Sequence, residues 1–287
     1  MPLKHQNTAI GFEALTTNTT GAGNTALGNG ALQFSTTADN NTAIGKQALF
    51  ANTTGTQNVA VGANALDANT TAASNTGIGY NALSANTTGS QVVAVGNRCL
   101  EANTTASSNT AIGSNAMQVN TTGIQNVAVG VEALDANTTA NYNTAVGASS
   151  LGANTTGAQN TAVGAFALDA QTTDSNNTAV GYAALSANVQ TNNTGVGYNA
   201  LASNTTGAQN CAFGASTLDA CTTADNNNAF GYIALGKSTT GSKNNAFGKS
   251  AGQEVTTGSN NTLIGHDAGG NTSTGDGNTF IGRSTGV

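Results

Sequence analysis

Charge is scarce in this chain. Asp, Glu, Lys and Arg make up 7% of its 287 residues, against roughly 25% in an ordinary globular domain, so Asn, Thr and Ser must solvate the surface. Seven Lys and Arg against 13 Asp and Glu give a net charge of −6. That leaves no long basic stripe to neutralise phosphates, so neither nucleic acid nor an anionic membrane is an expected partner. Apolar runs are short, well below the roughly 20 residues of a membrane-spanning helix, and no membrane insertion is expected. The start, Met1-Pro2-Leu3-Lys4-His5, lacks the apolar core of a signal peptide. Such a sequence suits a virion protein made in the cytosol or a piece of a longer surface protein. Histidine occurs twice, at His5 and His266, too few and too far apart for a His-based triad or a His-rich metal cluster. Cysteine occurs three times, as Cys99, Cys211 and Cys221. Each takes a slot that another residue type fills in neighbouring repeats, so they read as substitutions within the pattern, Cys211 and Cys221 being the one pair close enough in sequence for a disulfide. The single proline, Pro2, lies outside the repeats.

What the chain has in abundance is itself. A glycine closes the pattern Asn-Thr-Ala-Ile/Val-Gly at Gly11, Gly28, Gly45, Gly62, Gly79, Gly96 and onward to Gly282, always 17 residues apart except for the 16 between Gly181 and Gly197. Self-similarity at a fixed period is the signature of a solenoid. So much Gly, Asn and Thr, without a 3.6-residue apolar period, disfavours helical repeats. The expectation is an all-β parallel β-solenoid, or β-roll, of 17-residue coils in a single domain over 1–287. An irregular coil is expected near 188–193 and altered coils over 248–287. Seventeen coils at roughly 4.8 Å each would span on the order of 80 Å.

Within a coil the residue before the glycine is large and apolar (Ile10, Ile44, Val61, Val95, Val129), and two residues earlier stands Thr or Val. Positions two apart in a strand share a face, so this pair is expected to point into the core. The slot between them is Ala in thirteen coils, including Ala43, Ala60, Ala94 and Ala128. A face of Ala, Asn and the ladder glycines Gly45, Gly62, Gly96 and Gly130 is expected to meet another chain, with Ala94, Ala111, Ala128 and Ala145 at the interface. Four residues after the glycine, Leu49, Leu66, Leu134 and their equivalents form a second apolar side. The slot becomes Gly252, Gly269 and Gly286 at the end, where the roll is expected to narrow or change path. Asn-Thr-Thr-Gly/Ala marks the corners, where stacked Asn side chains can form ladders. Acids after the Leu, at Asp67, Glu101, Asp135 and Asp169, fall two coils apart, which keeps like charges about 10 Å from one another. That separation is too wide for calcium, which needs six to eight oxygens within about 2.6 Å.

Asn-Thr-Ala-Ile-Gly and Gln57-Asn58-Val59-Ala60-Val61-Gly62 resemble the head repeat of trimeric autotransporter adhesins of the YadA type, and also segments of phage tail fibres. The resemblance covers nearly the whole chain. It implies a left-handed roll, a homotrimer, an extracellular, cell-surface or virion location, and a part in attachment to a host or substratum ligand. The coils here are longer than that family's usual ones, so the fold transfers more firmly than the function.

Two motifs mimic catalytic sites. Gly231-Tyr232-Ile233-Ala234-Leu235-Gly236-Lys237-Ser238 matches the phosphate-binding loop, and Gly248-Lys249-Ser250-Ala251-Gly252 the nucleophile elbow. Both need a following helix, and both overlie ladder positions, so no enzyme and no cofactor is expected. The many Asn-Thr-Thr triplets match the N-glycosylation acceptor pattern, which makes a bacterial or phage source the simpler reading. The sequence thus points to a non-enzymatic fibre segment. A self-assembling end-to-end filament and an ice-binding surface of Thr ladders are the alternatives.

Overall fold

A computed structural model describes residues 6–286, and its contacts gather into two compact units, 1–142 and 143–287. The first unit carries β1 (Thr8–Ile10), β2 (Thr25–Leu27), β3 (Thr42–Ile44), β4 (Val59–Val61), β5 (Thr76–Ile78), β6 (Val93–Val95), β7 (Thr110–Ile112) and β8 (Val127–Val129). The second carries β9 (Thr144–Val146), β10 (Thr161–Val163), β11 (Thr178–Val180), β12 (Thr194–Val196), β13 (Cys211–Phe213), β14 (Asn228–Phe230), β15 (Asn245–Phe247), β16 (Thr262–Ile264) and β17 (Thr279–Ile281). Within each unit every strand pairs in parallel with the next, in register, so that Ala43 lies beside Ala60 and Ile44 beside Val61. The fold is a β-solenoid, and no helix occurs among the described residues.

In most strands β-branched side chains at the first and third positions, with Phe at the third in β13 to β15, favour extended backbone, and the ladder glycine ends the strand after three residues. At Gly45 φ is +132°, and an added Cβ would stand 2.5 Å from the carbonyl oxygen of Gly62 in the next coil. Only glycine allows both the conformation and the approach. The chain then turns through residues of alternating handedness. Gln47 has φ 56° and Leu49 φ 50°, and the same two slots are left-handed in coil after coil. This alternation aims the N–H groups of the two left-handed residues at opposite neighbours: Asn64 N–H donates to Lys46 O in the preceding coil (2.9 Å), while Leu66 N–H donates to Ala82 O in the following one (3.0 Å).

The strand's facing is the reverse of the sequence expectation. Ala26, Ala43, Ala60, Ala94, Ala111 and Ala128 in the first unit, and Ala145, Ala162, Ala179, Ala212, Ala229 and Ala246 in the second, are fully buried inside their own chain. The Thr/Val and Ile/Val/Phe residues on either side point outward, half-buried or exposed. The cause is thickness. Leu49, Leu66, Leu100 and Leu134 reach across from the opposite wall and are themselves fully buried, leaving room for no more than a methyl group. At Gly77 an added Cβ would already lie 3.2 Å from Leu66 Cγ.

The last coils keep this volume by exchanging it. Where Gly269 replaces the Leu, Leu263 replaces the Ala, and an added Cβ on Gly269 would sit 2.7 Å from Leu263 Cδ2. Phe280 likewise fills the space over Gly286. The strands stay in register through β16 and β17, so the wall is refilled from the other side and the expected change of path does not occur. The 16-residue coil also keeps register, with Thr178 beside Thr194. Within the short coil the corner closes one residue early, Asn188 Nδ2 donating to Gln190 O (2.6 Å), and in the coil before it Gln171 stands where other coils have Asn, its Oε1 accepting from Asn177 Nδ2 (2.8 Å) and its Nε2 donating to Asp174 O (2.6 Å).

Candidate interaction surfaces

Two buried amide columns hold the coils. In one, the corner asparagines hand hydrogen bonds along the stack: Asn69 Nδ2 donates to Asn52 Oδ1 (2.9 Å), Asn86 to Asn69 (3.1 Å), Asn103 to Asn86 (2.9 Å) and Asn120 to Asn103 (3.1 Å). In the other, the asparagine ahead of each strand accepts from backbone. Asn41 Oδ1 takes the N–H of Asn58 (2.9 Å), while Asn41 Nδ2 donates to Gly55 O (2.9 Å). These buried amides are satisfied in both directions, as burial requires, and the corner ladder is the one expected from the sequence. Buried in this way, the asparagines of the Asn-Thr-Thr triplets from Asn52 onward are closed to modification in the folded chain, whereas Asn18 in the first coil is only half-buried.

Outside, the first threonine of each corner pair is also occupied, while the second, such as Thr54 or Thr88, is exposed. Thr36, Thr53, Thr70, Thr87, Thr104 and Thr121 each turn Oγ1 to a carbonyl of the next coil at 3.0–3.2 Å. A second outer row follows the buried Leu. Burial pushes Asp67, Asp135, Asp169 and Asp219 above the ordinary carboxylate range, against hydrogen bonds from backbone N–H groups. For Asp135 the nearby Glu132 adds to the rise. Glu101 goes the other way. Burial works to raise it but is outweighed by Gln118 Nε2 (2.9 Å), Asn81 Nδ2 (3.0 Å) and the Arg98 guanidinium (3.0 Å).

The broadest apolar surface is the outward face of the strands. In the first unit it presents Leu27, Ile44, Val61, Ile78, Val95, Ile112 and Val129 in one column and Thr25, Thr42, Val59, Thr76, Val93, Thr110 and Val127 in the next, with Ile112 42% exposed. In the second unit the row becomes aromatic: Phe213, Phe230 and Phe247 stack at 5.0 and 4.9 Å with nearly parallel rings. Beside them Asn228 Nδ2 donates to Asn245 Oδ1 at 2.9 Å. The sequence shows three successive Phe in one slot, but the inward assignment of that slot hid their exposure. The alanines expected at an interface, Ala94, Ala111, Ala128 and Ala145, have no surface to offer. The ladder itself is as expected, with Ala94 beside Ala111 and Ala111 beside Ala128, and Leu49, Leu66 and Leu134 buried.

The motifs that mimic catalytic sites are ladder segments. Ala234, Leu235 and Ser238 of the first are fully buried, Ser250 of the second is buried, and no helix follows either. All three cysteines are free. Burial pushes Cys99 up to about 12 and Cys221 to about 11, keeping both as thiols. Cys211 lies half-buried on the outward face. Among the described residues, no group of three or more His, Cys, Asp or Glu side chains could hold a metal ion, and no helix is long and apolar enough to cross a membrane. His5 falls outside the described residues. No protein-family model matches the chain, and no curated protein is similar to it.

Proposed function

We propose that this chain is a non-enzymatic structural segment of an extracellular or virion fibre that serves attachment, and that it assembles as a homotrimer through the outward face of its strands. One observation carries the reading. Every coil places a large apolar side chain on that face beside a Thr, Val, Cys or Asn, so each of the two units exposes an apolar row where a monomer would be expected to show polar residues. Strips of this extent mark protein interaction sites. Its two columns lie two residues apart along each strand and repeat from coil to coil, so identical copies can interlock side chains coil by coil. The resemblance to adhesin head repeats supports the same assembly. The Ala face is no longer part of the proposal, since it fills the interior of the chain. Ice binding is less favoured because the first Thr of each corner pair turns its hydroxyl to a carbonyl of the next coil, which leaves a single outward Thr column at the corner where a two-column array would be needed.

Light scattering on a size-exclusion column tests it. The expected solution mass is about three times the 28.0 kDa of the chain. Replacing Val95 and Val129 by Lys should give a folded species of lower mass, because both side chains point outward. A wild-type monomer would sink the trimer, and very large heterogeneous species would favour a filament.

A further inference from the structure

The chain-wide charge hides a local gathering. Of the six Lys and Arg among the described residues, four lie between 237 and 283. Two of them, with the only described histidine, occupy one slot in three successive coils: Lys249, His266 and Arg283 each follow the ladder glycine. Coil stacking at this slot is direct, with Ser250 N–H donating to Tyr232 O (2.9 Å), Asp267 N–H to Lys249 O (3.0 Å) and Ser284 N–H to His266 O (2.9 Å). Lys249 and Arg283 are exposed and His266 is partly so. At about 4.8 Å per coil the two permanent charges stand about 10 Å apart.

Two further features adjoin this column. Earlier in the same slot stand exposed tyrosines, Tyr182 and Tyr198 with rings 5.7 Å apart, and then Tyr232 directly before Lys249. On the column's other side a shallow cleft is lined by Ser250, Gln253, Glu254, Asp267, Asn271 and Ser284. Of its two carboxylates, Glu254 pairs with Lys237, Oε1 to Nζ 2.7 Å, and Asp267 Oδ2 lies 2.8 Å from His266 Nδ1. Hydroxyls, amides and carboxylates in a row can exchange hydrogen bonds with hydroxyl groups. Aromatic rings at the margin offer apolar surface to the C–H faces of a sugar, and unpaired cations along the edge select negative substituents.

We infer that coils 14 to 17 bind an acidic polysaccharide, laid along the stack with its anionic substituents on Lys249 and Arg283 and its hydroxyls over the cleft. The inference rests on the attachment part of the proposed function and supplies the chemical class of its ligand. A nucleic acid fits less well, since two free cations would face its dense phosphates and the cleft offers acceptors to groups that are acceptors themselves.

Calorimetric titration of the full chain with short dextran sulfate, neutral dextran and polyphosphate tests it. The expected result is saturable binding of dextran sulfate, weakened about tenfold in the Lys249→Ala/Arg283→Ala variant and unchanged in Lys46→Ala, which removes a solitary lysine from the same slot in another coil. Polyphosphate binding as tightly as dextran sulfate, no binding of dextran sulfate at all, or equal losses in both variants would each overturn the assignment. The solution mass of the same samples reports separately on assembly, so a failed titration with a trimeric mass removes the ligand and leaves the fibre.

Discussion

A single methyl group is what the interior of a coil can accommodate opposite a leucine, and the last coils show the rule by inverting it. Leu263 with Gly269, and Phe280 with Gly286, fill the same space as Ala with Leu elsewhere. Leu263→Ala alone should therefore destabilise the chain by about 2–5 kcal/mol through the cavity it leaves. Gly269→Leu alone should cost about 1–3 kcal/mol by overpacking. The double variant refills the Gly269 side of this space but leaves the Gly252 side, where an added Cβ would lie 2.5 Å from Leu263 Cδ1, and should still cost less than the two single changes added together, a coupling that urea unfolding can measure. Costs that simply add would show that the two slots do not share one space.

At the level of the element, the turn after each strand is assembled from left-handed residues that are mostly not glycine. Each carries a steric penalty of roughly 1–2 kcal/mol, tolerated because the alternation lets every coil bond to the coils on both sides. Gly30 occupies such a slot at φ 66°, and Gln47, one coil later, takes it at 56°. Gln47→Gly should stabilise the chain by about 0.5–1 kcal/mol, the steric relief exceeding glycine's greater entropy loss. Thermal unfolding would show it as a raised midpoint, and a lowered midpoint would mean that the Gln side chain contributes more than its backbone costs. This element also marks where the sequence was legible and where it was not. Period, register and the Asn corner ladder follow from spacing, because stacked identical residues leave no choice of partner. The facing of a three-residue strand does not follow, because Thr-Ala-Ile alternates equally well either way up. The missing signal was the exchange of Ala and Leu for Leu and Gly at 263 and 269, which shows that these two slots meet inside. The handedness of Leu49 and Leu66 could not be anticipated, since leucine seldom adopts positive φ. The outward-facing row of Phe213, Phe230 and Phe247 was hidden by the same misassigned facing.

Across the whole molecule the shifted carboxylates act mostly in one direction. Asp67, Asp135, Asp169, Asp174 and Asp219 are raised by burial, so the folded chain binds their protons more tightly than the unfolded chain does. Stability should therefore rise as pH falls from neutrality through their folded values towards the ordinary Asp range near 3.9, and level off below it. Glu101, shifted the other way, opposes this only in part. Asp67→Asn/Asp219→Asn should raise the unfolding midpoint at pH 7 and flatten its pH dependence. A midpoint that falls steadily on acidification would show that paired carboxylates dominate instead. The inter-coil bonding has a kinetic corollary as well. Each backbone bond between coils joins residues about one coil apart in sequence, as Leu66 N–H to Ala82 O does, however many coils are stacked. For a unit of about 140 residues that corresponds to a relative contact order of about 0.12, near the range of helical bundles and below that of β-sandwiches. An all-β chain built this way can nucleate at any adjoining pair of coils and grow outward like a zipper. Its folding rate should be set by forming the first pair of turns, not by the number of turns that follow.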